Sequence, residues 1–169
     1  MKKLFALILA LVMSLSLFAC GSSKTKMRFV TGGESGTYYA FGSTIAQHAT
    51  NNAGIEVVGL VGNGSKSNVE ELDAGNAELA FCQSDVMAYA YNGTNIFADH
   101  GKVDCFSTVA ALYMEQVQIV TVDPTIKTVE DLAGKKVSVG AAGSGVYFNA
   151  IDVLNAYDLK ESDISAVYQ

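Results

Sequence analysis

Basic residues are scarce in this 169-residue chain: 11 Lys and Arg stand against 17 Asp and Glu, and nowhere do they cluster. Nucleic-acid phosphates need grouped Lys and Arg, so no nucleic-acid partner is expected. Histidine is rarer still, with only His48 and His100. Neither falls in a turn at a strand end, so a Ser-His-Asp hydrolase lacks a base, and both are read as surface or packing residues. The three cysteines contain no Cys-x-x-Cys and no paired histidines accompany them, leaving a structural zinc site without ligands. No metal and no cofactor are expected. Cys82 and Cys105 could pair outside the cytoplasm, but buried free thiols suit their apolar settings better. The single proline, Pro124, turns the chain after Asp123.

Residues 1–19 read as an address. Lys2 and Lys3 precede an apolar run from Leu4 to Leu17, followed by Phe18-Ala19-Cys20-Gly21. A basic start, an apolar centre and a small residue before the cut describe a secretory signal. The cysteine after Ala19 makes it resemble a bacterial lipobox, in which Cys20 is lipidated and becomes the mature N-terminus. Phe18 departs from the small residue usual there, and a plain signal peptide with an incidental cysteine is the alternative. Residues 20–26, with Ser22-Ser23-Lys24-Thr25-Lys26, read as a tether to the membrane surface. Loss of Lys2 and Lys3 moves the formal net charge from −6 to −8.

Beyond the tether, apolar runs alternate with helical periodicity. Met27 to Val30, Ile55 to Val61 and Glu78 to Cys82 read as strands, each followed by a polar turn and a helix: Ala40 to Thr50, Val69 to Ala74, and Val86 to Tyr91. Gln83-Ser84-Asp85 is expected to cap the last of these. Such a pattern predicts an α/β fold with a mainly parallel sheet, whose ligands sit at the carboxyl ends of the strands. Ser107 to Tyr113 reads as a fourth strand, interrupted at Met114-Glu115 and resumed from Gln116 to Val122, a long extended stretch that suits passage between two lobes. Val129 to Gly134 is a short helix, Lys135 to Gly140 a strand, and Val146 to Tyr157 a helix. The last residues, Asp163 to Gln169, lie in or just after a strand, and the expectation is a piece of a protein about twice as long.

Two glycine-rich turns stand between a strand and a helix: Thr31 to Tyr39, and Gly140 to Gly145. Either one is an ordinary βα turn or a cradle whose backbone amides face an anion. Known nucleotide and hydrolase motifs fail. In Gly59 to Ser67, Ser65 separates Gly64 from Lys66, so Walker A is not met. Gly32-Gly33-Glu34-Ser35-Gly36 lacks dinucleotide spacing, and Gly143-Ser144-Gly145 is too short for a nucleophile elbow. Paired carboxylates such as Glu70-Glu71 and Glu130-Asp131 fall on solvated helix faces. The chain is not expected to be an enzyme.

Five stretches in order carry a family resemblance: Thr31 to Tyr39, Gly64 to Leu72, Gln83-Ser84-Asp85, Ala111 to Glu115, and Asp131 to Gly145. Together they resemble the substrate-binding subunits of TAXI-type TRAP transporters (tripartite ATP-independent periplasmic transporters), over nearly all of residues 27–169. The resemblance implies a type II periplasmic-binding-protein fold, with two α/β lobes around a cleft. Residues 27–115 would form the first lobe, and residues 116–169 the crossover and an incomplete second lobe. It places Gly33, Thr37 and Tyr38 on the first lobe's cleft edge, with Ser65 and Gln83 beside them. Tyr113 and Glu115 would lie near the crossover, with Ser144, Gly145 and Val146 facing them. Family members commonly have Thr where this chain has Val146, which removes one hydroxyl. Tyr38, Tyr39 and Tyr113 equally fit a core, the better reading for Tyr39, and Glu115 a surface position. The resemblance further implies a monomer, lipid-anchored outside the cytoplasm, that captures a small carboxylated solute (glutamate-like or a related organic acid) by cleft closure and delivers it to membrane subunits for ion-gradient-driven uptake. The alternatives are the binding protein of an ATP-driven importer or sensor, and a secreted enzyme on the same fold.

Overall fold

The chain is described by a computed structural model over residues 25–168. The signal, the Cys20 lipidation site and residues 20–24 of the tether lie outside the described residues. Strand β1 (Lys26–Val30) already includes Lys26, the last residue given to the tether, whose ammonium pairs with Glu56 at 3.2 Å. Helix α1 (Thr37–Asn52) follows, then β2 (Glu56–Leu60), α2 (Ser65–Asp73), β3 (Leu79–Ala80) and α3 (Ser84–Asn92). The second half holds β4 (Lys136–Ser138), α4 (Gly145–Ala156) and β5 (Ser165–Val167), with 3-10 turns at Glu130–Leu132 and Glu161–Asp163.

All strand pairs are parallel, as βαβ connections require. The first sheet runs β2-β1-β3, and β4 pairs with β5 in a second sheet. The expected α/β class is thus the one observed. Strand β1 is central because the chain leaves it on one side to form β2, then crosses back to form β3. That reversal makes the carboxyl ends of β1 and β3 a topological switch point, where α/β sheets open a crevice.

Three apolar clusters hold these layers. Phe29, Ala46, Val57 and Phe81 bury α1 on the first sheet, and Val69, Val86, Ala90, Phe97 and Val103 join α2 to α3. Leu132, Val139, Leu154 and Ile164 form the core around β4 and β5. Helix α1 approaches the end of β1 so closely that a Cβ on Gly42 would stand 2.2 Å from Thr31 Cγ2. Only glycine permits that contact.

Two expected strands do not form. Residues 107–122 carry no regular structure and every one of them is exposed, Val109 at 84% and Val120 at 91%. Apolar alternation yields a strand only where an edge supplies ladder hydrogen bonds, and among the described residues neither sheet pairs with this segment. Among the described residues, Cys82 and Cys105 are both free. Cys82 is half-buried, but Cys105 is exposed, against the expectation of a buried thiol, since Val103 and Phe106 rather than the thiol face the core. His48 and His100 lie at the surface, His100 pairing with Asp73 at 3.1 Å.

Candidate functional site

Asn68 sets the geometry at the switch point. Fully buried on α2, it donates from Nδ2 to the carbonyls of Thr31 at 2.6 Å and Phe81 at 2.9 Å. These carbonyls follow β1 and β3, so one side chain clamps the two strand ends at the switch point. Ser65, also buried, opens α2 and accepts the Gln83 N–H at 3.0 Å, tying the first turn of α2 to the start of α3. Tyr38 stacks on Phe81 with ring centroids 4.9 Å apart. Burial, more than any neighbour, pushes its phenol well above the usual tyrosine range, Ser65 opposing and Glu115 adding to the shift.

The second half meets the first here. Lys66 N–H donates to Gly143 O at 3.2 Å, and a Cβ on Gly64 would stand 2.9 Å from Ser144 Cα. Gln83 Nε2 donates to Asn149 Oδ1 at 3.2 Å, and Asn149 Nδ2 to Asp85 Oδ2 at 2.7 Å. Gln83 and Asp85 were expected to cap α3: Gln83 stands at its N-cap without a side-chain cap bond, Asp85 Oδ1 accepts Val86 N–H at 2.8 Å in the first turn, and both side chains also reach across to α4. Tyr89 OH adds a contact to Asp152 Oδ2 at 3.4 Å. At the centre, a Cβ on Gly145 would lie 1.3 Å from Gln83 Oε1 and 3.1 Å from Ser65 Oγ. Any larger residue there must push aside the Gln83 amide, which fills the space. Its Oε1 is buried with no hydrogen-bond partner.

Of the residues picked from sequence, Ser65, Gln83, Ser144 and Gly145 therefore converge. Ser144 caps α4, accepting Tyr147 N–H at 3.1 Å. A second group gathers at Tyr38: Tyr38 OH donates to Glu115 Oε2 at 3.1 Å, and Tyr113 OH to Glu115 Oε1 at 3.2 Å. Tyr113 leans on Phe41 of α1 at 5.3 Å, and burial and then Glu115 push its phenol up to about 12. Gly33 and Thr37 stand exposed on the first glycine-rich turn. Val146 is 60% exposed and its side chain lies against Gly140, not in the centre. Cys82 sits behind Gln83, its thiol pushed up to about 12 by burial and by Asp85.

Asn68, Asn149 and Asp152 were missed. Asn149 had a signal: four residues beyond Gly145, it shares that residue's helix face. A hollow of about 200 Å³ lies to one side, between the ends of β1 and β2 and helix α2, lined by Leu60, Gly62 and Ser67. None of the residues picked from sequence lines it, and the convergent polar groups, not this hollow, define the candidate site.

The parallel α/β sheets and the second sheet-bearing unit give the chain a fold similar to that of a periplasmic binding protein. The chain belongs to the NMT1-like family, which matches residues 29–169. The alkanesulfonate-binding protein SsuA from Xanthomonas axonopodis pv. citri, bound to MOPS, is similar in structure with a TM-score of 0.51 at 16% identity, over 88% of this chain and 49% of that one. The periplasmic aliphatic sulphonate binding protein SsuA from Escherichia coli gives a TM-score of 0.47 at 17% identity, over 87% and 48%. The chain spans about half the length of these solved structures.

Proposed function

We propose that this chain captures a small carboxylated solute outside the cytoplasm, as the solute-binding part of a TAXI-type TRAP uptake system. Anchored at Cys20, it would act as a monomer that binds without catalysing and hands its solute to membrane subunits driven by an ion gradient. One observation carries this reading: the first turns of α2, α3 and α4 converge from two separate units, bringing Ser65, Gln83, Ser144 and Gly145 together. Helix N-termini present unpaired N–H groups and the positive end of the dipole, so a carboxylate is stabilised there without an arginine. Because each unit supplies half of the donors, solute favours the arrangement in which they meet.

The Gln83 amide occupies the centre, so the solute enters by displacing it or by parting the units, and a donor on the solute then pairs with the orphaned Oε1. The test is equilibrium binding of labelled amino and dicarboxylic acids to the full-length protein, with Gln83→Ala and Ser144→Ala. Weakened binding by a folded Gln83→Ala protein is expected; unchanged affinity in both variants removes the site assignment.

The fold likeness to SsuA favours a second reading, delivery to an ATP-driven importer. Uptake in cells separates the two. Collapse of the ion gradient at constant ATP abolishes TRAP-type uptake and spares the ATP-driven kind.

A further inference from the structure

We propose that the hollow beside α2 is a second binding site, separate from the converging helix N-termini, and that it takes a short linear alkylammonium ion. Its lining divides by chemistry. Val30 and Leu60 supply an apolar wall from the sheet, while Asn63, Ser67, Glu71 and Asn76 bring polar groups from α2 and its two ends. Ser67 and Glu71, four residues apart, share one helix face, and Asn63 and Asn76 stand before and after the helix. The hollow therefore runs along α2, whose nine residues span about 13 Å. A volume of about 200 Å³ drawn out over that length is a narrow groove, suited to an unbranched methylene chain rather than a ring. Its wall at Gly62 is bare backbone, since a Cβ there would stand 2.5 Å from Asn68 Oδ1 and 2.8 Å from Thr31 O.

None of these four polar side chains has a hydrogen bond or an ion pair among the described residues. Glu71, half-buried, is the one charged residue in the lining, and no cation compensates it. Lys66 turns to Glu70 and lies 5.5 Å over the Phe97 ring. Arg28, on the same strand face as Val30, is held by Glu78 and by Gly75 O at 2.8 Å. A carboxylate opposite an apolar wall is best matched by a monocation that carries both N–H donors and an apolar body. An ammonium has three donors, enough for Glu71, Ser67 Oγ and one carboxamide oxygen of Asn63 or Asn76, while its alkyl chain covers Val30 and Leu60. An anion would meet Glu71 with nothing to offset the repulsion, so the two sites select opposite charges and this one stands apart from the solute-binding reading above.

Titration of the full-length protein with n-pentylammonium, 1-pentanol and pentanoate, followed by backbone-amide NMR shifts, tests this. These probes share one chain and differ in the charge of the head. The ammonium is expected to bind about tenfold tighter than the alcohol, with shifts centred on Asn63, Ser67, Glu71 and Asn76, and pentanoate is expected to leave those amides unmoved. Glu71→Gln, an isosteric change, is expected to bring the ammonium down to the affinity of the alcohol. Ser67→Leu fills the groove from a half-buried helix position and is expected to remove both. Circular dichroism verifies the fold of each variant. Equal affinity for ammonium and alcohol, an ammonium preference that survives Glu71→Gln, shifts confined to the surroundings of Gln83 and Gly145, or no saturable binding of any probe overturns the proposal.

Discussion

Replacing Asn68 tests whether one side chain ties the two strand ends together at the switch point. Its Nδ2 makes both inter-strand contacts, at 2.6 and 2.9 Å, in a fully buried position, while its Oδ1 has no partner. Asn68→Ala removes two hydrogen bonds, each worth about 1 kcal/mol net, and leaves two buried carbonyls short of a donor. Relief of the unpartnered Oδ1 offsets part of this, so the expected loss is about 2–4 kcal/mol. That is within the roughly 5–15 kcal/mol available to a domain, so the variant still folds. For a chain of this length the midpoint should fall about 2–4 °C for each kcal/mol. Asn68→Asp separates the donor argument from simple packing. It conserves volume but points a carboxylate at two carbonyl oxygens, so at neutral pH it should be less stable than Asn68→Ala. The introduced carboxyl can donate only when protonated, so its folded-state pKa is raised. Its penalty should therefore shrink below that pKa and grow as pH rises through it. Urea unfolding followed by circular dichroism at several pH values reads both effects, with an unchanged slope confirming a change in stability alone. A loss below about 0.5 kcal/mol in Asn68→Ala, or an aspartate variant no worse than the alanine at neutral pH, refutes the clamp.

Other perturbations follow from the same contacts. Gly145→Ala sets a methyl 1.3 Å from Gln83 Oε1; the amide swings aside, so binding should weaken about tenfold or more by titration while stability changes by about 1 kcal/mol or less. Ser144→Ala deletes the cap on Tyr147 N–H and should cost about 1 kcal/mol in denaturant unfolding. Arg28 holds the Glu78 carboxyl at about 2 against an ordinary 4.5, so this pair's stabilisation is present above pH 4.5 and is lost as pH falls toward 2. Arg28→Ala should return the Glu78 pKa toward its ordinary value in an NMR titration, and an unmoved carboxyl contradicts that origin.

Local pattern was enough for the six elements of the first sheet unit. Met27 to Val30 and Ile55 to Val61 are apolar and bounded by glycine turns, and Gly75 and Gly93 follow α2 and α3. What local pattern cannot supply is a partner. Gln116 to Val122 alternates like a strand, yet pairing is a property of a neighbour and none is present among the described residues. The same limit governed the site. Ser65, Gln83 and Gly145 were expected only through the family resemblance, carried by stretches that fall after strands. Their supports were not: Asn68 is an ordinary polar residue in a helix until α2 packs over the strand ends, and Asn149 gains meaning only across the junction of the two units. Gln83 and Asp85 do stand at the start of α3 as local pattern predicts, Asp85 accepting Val86 N–H, but their second use, the reach to Asn149, is not a local property.

Solute capture at this convergence of helix N-termini is tested most directly by thermal unfolding of the full-length protein. It is first denatured and refolded to strip any bound solute, then screened against amino and dicarboxylic acids with and without the Gln83→Ala change. Binding to the native state alone must raise the midpoint, by an amount set by concentration over dissociation constant. A rise with at least one acid, abolished by Gln83→Ala, is the predicted result. A flat midpoint across the panel, or a rise that Gln83→Ala leaves intact, contradicts it.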